Sequence, residues 1–362
     1  MTLRTLQCIP VFWISLLLSV QAAHAQRNVA GAQEMEQALD HLSIVGSVMM
    51  IGAHPDDENT ALIAYFARGR HLRTAYLSLT RGEGGQNLIG PEQGELLGLI
   101  RTQELLAARK IDGGEQYFTR AIDFGFTKTA EETLNKWPRE KILADLVWNI
   151  RRFRPDVIVL RFSGTPRDGH GQHQVSAILG KQAFSMAGDP ANFPEQLDSV
   201  EPWTPKRLLF NTFAFTAEQE REEAKRTDRL VIDTGEYAPE LGYSFGEIAG
   251  MSRSQHRSQA MGSPERKGSQ KNFLVHIAGL KAANDPFDDV NLTWSRFPDG
   301  AAIGAIFAEA KRSYDPKTPD KIVPLLLKAR PLIAKIDDPL AKWRLKELDD
   351  LIALACGLWV DA

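Results

Sequence analysis

The sequence predicts an α/β fold: a Rossmann-like, three-layer arrangement with a mostly parallel sheet, followed by a C-terminal helical extension. Between residues 47 and 210, short apolar runs of strand length alternate with segments whose apolar residues recur at helical spacing. This alternation is typical of a parallel sheet covered by helices. Beyond residue 285 the pattern is mainly helical. With 43% hydrophobic residues among 362, the chain has enough apolar material to bury a large core.

The predicted elements follow one another closely. Residues 47–53 form the continuous apolar run expected of a buried parallel strand, and the apolar residues of 61–66 behind it lie at helical spacing, with Gly69 placed to end that helix. Later strands are predicted at 72–79, 116–118, 156–160 and 207–210, and later helices at 96–108, 141–153, 175–186, 301–311, 322–335 and 340–354. The charged segment 216–229 and the polar segment 252–270 are predicted to be exposed excursions.

Charge and cysteine content exclude several classes of function. The chain carries 43 Lys and Arg against 46 Asp and Glu, a net charge of −3. Without a basic surface field, nucleic acid is not expected as a partner. Cys8 and Cys356 are too far apart in sequence for a zinc ribbon or a disulfide scaffold. Any metal site must therefore be built from His, Asp and Glu.

The first 25 residues are predicted to be a signal peptide. Arg4 supplies a positive charge, residues 9–20 are mostly apolar, and Ala23-His24-Ala25 is a small-residue cleavage signal. A membrane anchor is the weaker alternative, because the apolar run is shorter than the roughly 20 residues that span a bilayer. We expect an exported protein, periplasmic or extracellular, with no stable membrane span after cleavage. The domains then comprise 1–25, the α/β domain 26–285 and the helical extension 286–362.

Chemically reactive side chains concentrate where the first strand ends. The segment Gly52-Ala-His-Pro-Asp-Asp-Glu58 places His54 and the carboxylates of Asp56 and Asp57 between that strand and the next helix. One interpretation is that the acidic residues only complement the helix dipole. The other is that an imidazole and a carboxylate converge on a metal ion.

A second cluster favours the metal interpretation. Asp168, His170 and His173 follow the predicted strand 156–160 and precede the next helix. In parallel sheets, ligands bind at the carboxyl ends of the strands. Both clusters are therefore expected at one edge of the sheet, where histidines and an aspartate supply suitable metal ligands.

These segments resemble, in order, the PIG-L/LmbE-like N-acetylglucosaminyl deacetylases. The motifs are Ala-His-Pro-Asp-Asp-Glu at 53–58, Leu-Thr-Arg-Gly-Glu-Gly at 79–84, Arg101-x-x-Glu104-Leu105, Ile-Asp-Phe-Gly at 122–125 and the later His-x-x-His pair. The resemblance covers roughly residues 47–188. It implies the same Rossmann-like fold and hydrolysis of an N-acetyl amide.

The resemblance also implies a role for each residue of the site. His54, Asp57 and His173 would hold one Zn²⁺ per chain and leave a position open for water, although other divalent transition metals also accept these ligands. Asp56 would be the general base. His170 would stabilise the oxyanion and could protonate the leaving amine.

The predicted substrate contacts are Arg81 and Glu83, on a glycine-rich turn expected to line the substrate cleft, and Arg101 and Asp123, which the resemblance implies. The residues alone leave alternatives open, since Arg101 could pair with Glu104 on a solvated helix face and Asp123 could cap a loop. Many family members have Pro-Asp between the two histidines, where this chain has Gly-Gln at 171–172. Our hypothesis is that Asp168 takes part of the role of orienting the histidines.

The function expected from these observations is zinc-dependent removal of acetyl from an N-acetylated amino sugar of the N-acetylglucosamine type. The expected partner is a small-molecule or glycoconjugate substrate, and the sequence does not fix the oligomeric state. One alternative is an amidase that acts on another acyl amide with the same site. The other is a carbohydrate-binding relic of the fold that has lost catalysis.

Overall fold

The computed structural model describes residues 31–214, 216–260 and 262–358. The predicted signal peptide, residues 1–25, lies outside these ranges. Within them, no helix combines the length and the apolar character that a bilayer span requires.

A seven-stranded sheet forms the centre of the fold, in the order β3-β2-β1-β4-β5-β9-β6. The strands from β3 to β5 in this order run parallel, and β9 pairs antiparallel with both β5 and β6. The bounds are β1 Ser47–Gly52, β2 Arg73–Ser78, β3 Glu115–Phe118, β4 Val157–Leu160, β5 Arg207–Asn211, β6 Arg229–Asp233 and β9 Lys271–Gly279. A separate two-stranded ladder joins β7, Tyr237–Ala238, to β8, Tyr243–Ser244. The prediction of a mostly parallel sheet is confirmed.

Helices cover both faces of this sheet. Met49 and Ile51 of β1 pack on one face against α5 and α6, while the alternating Val48 and Met50 pack on the other against α2 and α3. The predicted three-layer fold is thereby confirmed. The helices are α1 Ala32–Ser43, α2 Thr60–Ala64 continued by a π turn Tyr65–Gly69, α3 Glu95–Asp112, α4 Ala130–Leu134, α5 Arg139–Phe153, α6 Gly171–Met186, α7 Ala217–Ala224, α8 Phe245–Arg253, α9 Gly300–Ser313, α10 Val323–Ala334 and α11 Pro339–Ala355.

The predicted C-terminal helices are present as α9, α10 and α11, and α1 joins them in one apolar cluster. Leu39 and Leu42 of α1 are buried together with Trp294 and Phe307. Two ion pairs connect this helical layer to the sheet. Arg296 lies 2.9 Å from Asp156, and Arg154 lies 2.8 Å from Asp338.

The structure corrects the prediction that 252–270 is wholly exposed. Ser252, His256 and Ser258 are buried. Ser252 Oγ lies 2.6 Å from Asp112, and Nε2 of His256 lies 2.8 Å from Glu58, both of which are buried carboxylates. The burial of Ser252 and His256 is possible because each has a buried carboxylate as its hydrogen-bonding partner.

Candidate metal centre and active site

The two histidine-containing motifs meet at the carboxyl edge of the sheet. His54 and Asp57 follow β1, while His170 and His173 follow β4, and β1 pairs directly with β4. One ligand atom from each of His54, Asp57 and His173 lies within 4.8 Å of the others, so these three side chains could hold a metal ion.

Asp57 lies between the two histidines. Its Oδ2 is 3.2 Å from Nδ1 of His54, and its Oδ1 is 3.4 Å from Nε2 of His173. The backbone N–H groups of Ala53 and His54 donate to Oδ2 at 3.1 and 2.7 Å. The turn after β1 therefore fixes the carboxylate before any ligand binds.

The far nitrogen of each histidine has its own partner. Nε2 of His54 lies 2.9 Å from Oε1 of Gln172, and Nδ1 of His173 lies 3.2 Å from the carbonyl oxygen of Asp168. The amide nitrogen of Gln172 donates to Asp123 and to the carbonyl oxygen of Gly125. Because both are acceptors, Oε1 must face His54. The far nitrogens of His54 and His173 thus have their own hydrogen-bonding partners, and the nitrogens that face Asp57 are left to hold a proton or a metal ion.

The electrostatics of the group favour a cation. Burial alone would lower the pKa of His54, but the charge of Asp57 and its hydrogen bond raise that pKa to about 9. Burial alone would raise the pKa of Asp57, and His173 and His54 hold it well below its usual range. The site is therefore built to bind positive charge, whether a proton or a metal ion.

Asp56 occupies a strained position beside these ligands. Its φ of 86° lies in the left-handed region, which is rare for a residue with a side chain. Nη2 of Arg101 lies 3.1 Å from its Oδ1, and Arg253 donates to its carbonyl oxygen at 2.8 Å. Burial raises the pKa of Asp56 above its usual value, although Arg101 opposes this effect.

His170 caps the first turn of α6, which is why this helix begins four residues before the predicted start at 175. Its Nδ1 accepts a hydrogen bond from the backbone N–H of Gln172 at 3.0 Å. The proton of the neutral ring is consequently on Nε2. Burial, together with the positive potential of His54 and His173, lowers the pKa of His170 to about 4. The ring is neutral near pH 7 and has one N–H to donate.

Two cavities meet at this group, and both are lined by Asp56, Asp57 and His173. The first, of about 380 Å³, is also lined by His54, Gly84, Gly85, Gln86, Arg101, Asp123, Gly125, Phe126, His170 and Gln259. The second, of about 500 Å³, is also lined by Arg161, Phe162, Arg167, Asp168, Phe213 and Arg253.

The structure brings two of the four predicted substrate contacts to the first cavity. Arg101 and Asp123 line it and are buried. Arg81 and Glu83 line neither cavity. The guanidinium of Arg81 lies 4.4 Å from the centre of the Phe118 ring in a separate groove beside β3. Glu83 accepts hydrogen bonds from the backbone of Arg81 and Asp123, which holds the loop after β2 against the loop after β3.

Asp168 contacts one of the histidines, but through its backbone and not through its carboxylate. That carboxylate accepts hydrogen bonds from Ser163 and from the backbone of Gly164 and Thr165, so it closes its own loop. His173 meets the backbone carbonyl of Asp168 instead. Gln172, which sequence reasoning missed, is the residue that holds His54. The signal was its position between two histidines at the start of a helix.

A buried polar network behind the site was also missed. Oε1 of Glu58 lies 2.8 Å from Nε2 of His256 and 3.2 Å from Nη2 of Arg109, and Arg109 pairs with Asp112 at 2.6 Å. Burial alone would raise the pKa of Glu58, but His256 and Arg109 hold it below its usual range. Glu58, the last residue of the 53–58 motif, therefore holds the loop after α8 in place through His256.

Comparisons with known proteins agree with the resemblance found in the sequence. Residues 49–184 match the family model described as PIG-L: GlcNAc-PI de-N-acetylase. The chain is 30% identical over 148 residues, 40% of its length, to a diacetylchitobiose deacetylase of Thermococcus kodakarensis. It is 26% identical over 180 residues, 45% of its length, to a 1D-myo-inositol 2-acetamido-2-deoxy-alpha-D-glucopyranoside deacetylase of Saccharopolyspora erythraea. The chain spans 52% and 64% of the lengths of these two relatives.

Among solved structures, the chain is similar to an N,N'-diacetylchitobiose deacetylase from Pyrococcus horikoshii. The TM-score is 0.44 at 15% sequence identity, and the match covers 71% of this chain and 82% of the other.

Proposed function

We propose that this chain, whose residues 49–184 form a PIG-L-like domain, is a metal-dependent hydrolase that removes acetyl from an N-acetylated amino sugar. The convergence of His54, Asp57 and His173 within 4.8 Å carries the proposal. Asp56 and His170 lie beside these three side chains, and they offer the base and the neutral hydrogen-bond donor that amide hydrolysis requires. The similar proteins are named as deacetylases of N-acetylated sugars, which supports the reaction class.

The three ligands would hold one Zn²⁺, since two neutral imidazoles and a carboxylate suit this ion and leave coordination positions for water and substrate. Iron, nickel, cobalt and manganese also accept these ligands. The bound metal would supply two effects: a lower pKa for the attacking water and polarisation of the amide carbonyl.

Asp56 accepts the proton of the attacking water. Its carboxylate is not among the three ligands, and Arg101 fixes its position through the 3.1 Å contact. Burial raises its pKa toward the working pH, which makes it a better base than an exposed aspartate. When the C–N bond breaks, the same proton is available to the amine nitrogen of the sugar.

His170 stabilises the negative charge that develops on the carbonyl oxygen. It donates from Nε2 because Nδ1 is occupied by the backbone N–H of Gln172. A pKa near 4 keeps the ring neutral at pH 7. This favours hydrogen-bond donation to the oxyanion over protonation of the leaving amine.

The first cavity supplies the sugar site in this proposal. Asp123 and Arg101 offer a carboxylate and a guanidinium to sugar hydroxyls, with backbone groups of 84–86 beside them. The loops after β2 and β3, which supply part of this lining, also carry the exposed apolar side chains Leu88, Ile89 and Ile122. The ring of Phe126 is 72% exposed and its centre lies 5.0 Å from that of His170, so it is placed to cover one face of a pyranose.

The proposal is tested by elemental analysis combined with an acetate assay. We expect about one zinc per chain and acetate release from an N-acetylglucosamine conjugate that stops on chelation and returns with zinc. His54→Ala should lose both metal and activity. The matched control is His276→Ala on β9, far from the site, which should keep both.

Other outcomes separate the alternatives. Bound metal without acetate release from any acetylated sugar, but with hydrolysis of another acyl amide, would establish the amidase. Neither metal nor hydrolysis, with sugar binding retained, would establish a binding relic of the fold.

We also propose that the protein is exported, on the basis of the charged, apolar and small-residue pattern of residues 1–25. N-terminal sequencing of protein recovered from its native host should begin after Ala25. A sequence that begins before Arg4 in protein recovered from the cytoplasm would contradict export.

A further inference from the structure

The second cavity contains three arginines from three different parts of the fold. Arg161 follows β4, Arg167 lies in the short helical turn Pro166–Asp168, and Arg253 ends α8. Within the part of the chain that the structure describes, none of these guanidinium groups forms an ion pair with a carboxylate. We call this space the arginine cavity.

The carboxylates that line the arginine cavity have partners other than its three arginines. Asp57 lies between His54 and His173, and Asp56 pairs with Arg101 of the neighbouring cavity. Both oxygens of Asp168 accept hydrogen bonds from residues 163–165. Within the described part of the chain, none of these acidic side chains therefore forms an ion pair with an arginine of the cavity.

Arg161 is the most constrained of the three. Only 8% of it is exposed. Its Nε donates to the carbonyl oxygen of Asp57 at 2.8 Å, Nη1 donates to Asn211, and the guanidinium lies 4.5 Å from the centre of the Phe213 ring. Among the described residues, Nη2 makes no hydrogen bond. A nearly buried guanidinium that keeps one donor free and has no carboxylate ion-pair partner is suited to bind an anion.

Like charges are held together in this cavity. Arg161, Arg167 and Arg253 line the same space, and the charges of Arg253 and Asp57 both act on Arg161. Folded proteins rarely keep guanidinium groups unpaired in a partly buried space unless a ligand supplies the opposite charge. Arginine also suits carboxylate and phosphate groups, because its planar set of donors matches their oxygens.

We infer that the arginine cavity is an anion subsite, and that the substrate is an N-acetylated amino sugar carrying a phosphate or carboxylate substituent. This inference rests on the proposed function and specifies its substrate. The arginine cavity shares Asp56, Asp57 and His173 with the first cavity, so the two spaces meet at the reacting amide. A substituent on the same sugar or on the next residue reaches Arg161, Arg167 and Arg253 while the N-acetyl group lies at the metal ligands.

The test compares three acetylated sugars: N-acetylglucosamine, its 6-phosphate and N-acetylmuramic acid, which carries a carboxylate. We expect kcat/KM for at least one anionic sugar to exceed that for the neutral sugar about tenfold, as one charge-assisted contact allows. The preferred sugar identifies the source of the anion as phosphate or carboxylate. Equal or lower kcat/KM for both anionic sugars would overturn the inference.

Arg167→Gln is the most informative variant, because Arg167 is exposed and makes no hydrogen bond within the described ranges. It should bring the anionic-to-neutral ratio of kcat/KM toward one, mainly through KM, and Arg167→Lys should restore part of it. Arg139→Gln on α5, another exposed arginine, is the control and should leave the ratio unchanged. Equal losses on neutral and anionic sugars in Arg167→Gln would contradict an anion subsite.

Binding measurements test the anion subsite independently of the hydrolysis reaction. Calorimetry with glucosamine and glucosamine 6-phosphate, or muramic acid, measures the subsite without turnover. Glucosamine 6-phosphate or muramic acid should bind more tightly than glucosamine, and this difference should shrink in Arg167→Gln. That result would support anion binding by the arginine cavity even if no acetylated sugar were hydrolysed. Hydrolysis of neutral sugars with no such difference would leave the proposed function intact and remove the subsite.

Discussion

Oε1 of Gln172 lies 2.9 Å from Nε2 of His54, so a residue of the second motif orients the histidine of the first. The amide is fixed in turn by Asp123 and by the carbonyl oxygen of Gly125. One buried side chain therefore connects β1, the loop after β3 and the start of α6. Metal sites depend on such outer hydrogen bonds for the tautomer and direction of their histidines.

Replacement of Gln172 by leucine should weaken the metal site. The change removes the acceptor at Nε2 of His54, and we expect metal affinity to fall about 10- to 100-fold, measured by competition with a chromophoric chelator. Gln174→Leu on the same helix is the matched control, because Gln174 is also buried but donates to the carbonyl oxygen of Lys128, away from the ligands. Equal affinity losses in the two variants would show a general effect of disturbing α6.

Asp56→Asn should separate catalysis from metal binding. Asparagine keeps an oxygen for Arg101 but cannot take a proton from water, so kcat should fall about 10²- to 10⁴-fold. Zinc content should stay near that of the unmodified protein. Asp145→Asn, which changes a contact with the exposed Arg120 outside both cavities, should change neither quantity. Loss of metal in Asp56→Asn comparable to that in His54→Ala would refute the division of roles.

The stability of the helical layer should depend on pH through Glu347. Burial alone would raise the pKa of Glu347, but Arg344 and His41 hold it below its usual value of 4.5. A carboxyl whose folded-state pKa is lowered stabilises the fold above its unfolded pKa, and this contribution is lost as pH falls through the folded-state value. The difference in free energy of unfolding between the parent protein and Glu347→Gln should be largest at pH 7 and shrink below pH 4.5. A difference that is constant with pH in urea titrations would contradict this assignment.

Phe307→Ala should destabilise the whole fold. Phe307 is fully buried, and its ring centre lies 5.9 Å from that of Trp294. Loss of this side chain should lower the free energy of unfolding by about 3–5 kcal/mol, while activity per folded molecule stays unchanged. Leu327→Ala on α10, where the side chain is 51% exposed, should stay within about 0.5 kcal/mol. An early separate transition in Phe307→Ala, with the activity of the sheet retained, would show that the helical layer unfolds independently.

The meeting of the two histidine motifs was predictable because position along a parallel strand decides which edge a residue reaches. His54 and His170 both follow apolar runs, and the carboxyl ends of β1 and β4 lie side by side. The same rule places Asp57 and His173 at this edge. The resemblance gave these two residues their predicted role as ligands. The positions of apolar runs thus predicted the meeting of the two motifs and most of the parallel sheet, while the resemblance supplied the ligand assignment, which stays a prediction.

Residues whose roles depend on distant partners were not predictable. Arg161 resembles any arginine after a strand until Phe213 and Asn211 are seen around it. The antiparallel strand β9 is only partly buried, so its apolar residues do not form the continuous run that marks a parallel strand. Likewise, α1 precedes the sheet in sequence, yet its apolar face is covered by helices that follow the sheet.

The position of α1 has a consequence for biosynthesis. A ribosome produces α1 first, then every strand of the sheet, and only afterwards α9, α10 and α11. Until those helices emerge, Leu39 and Leu42 have no apolar surface of the helical layer to pack against. The helices α9, α10 and α11 therefore complete the structure that α1 begins, and the nascent protein keeps an unburied apolar face until these helices have been synthesised.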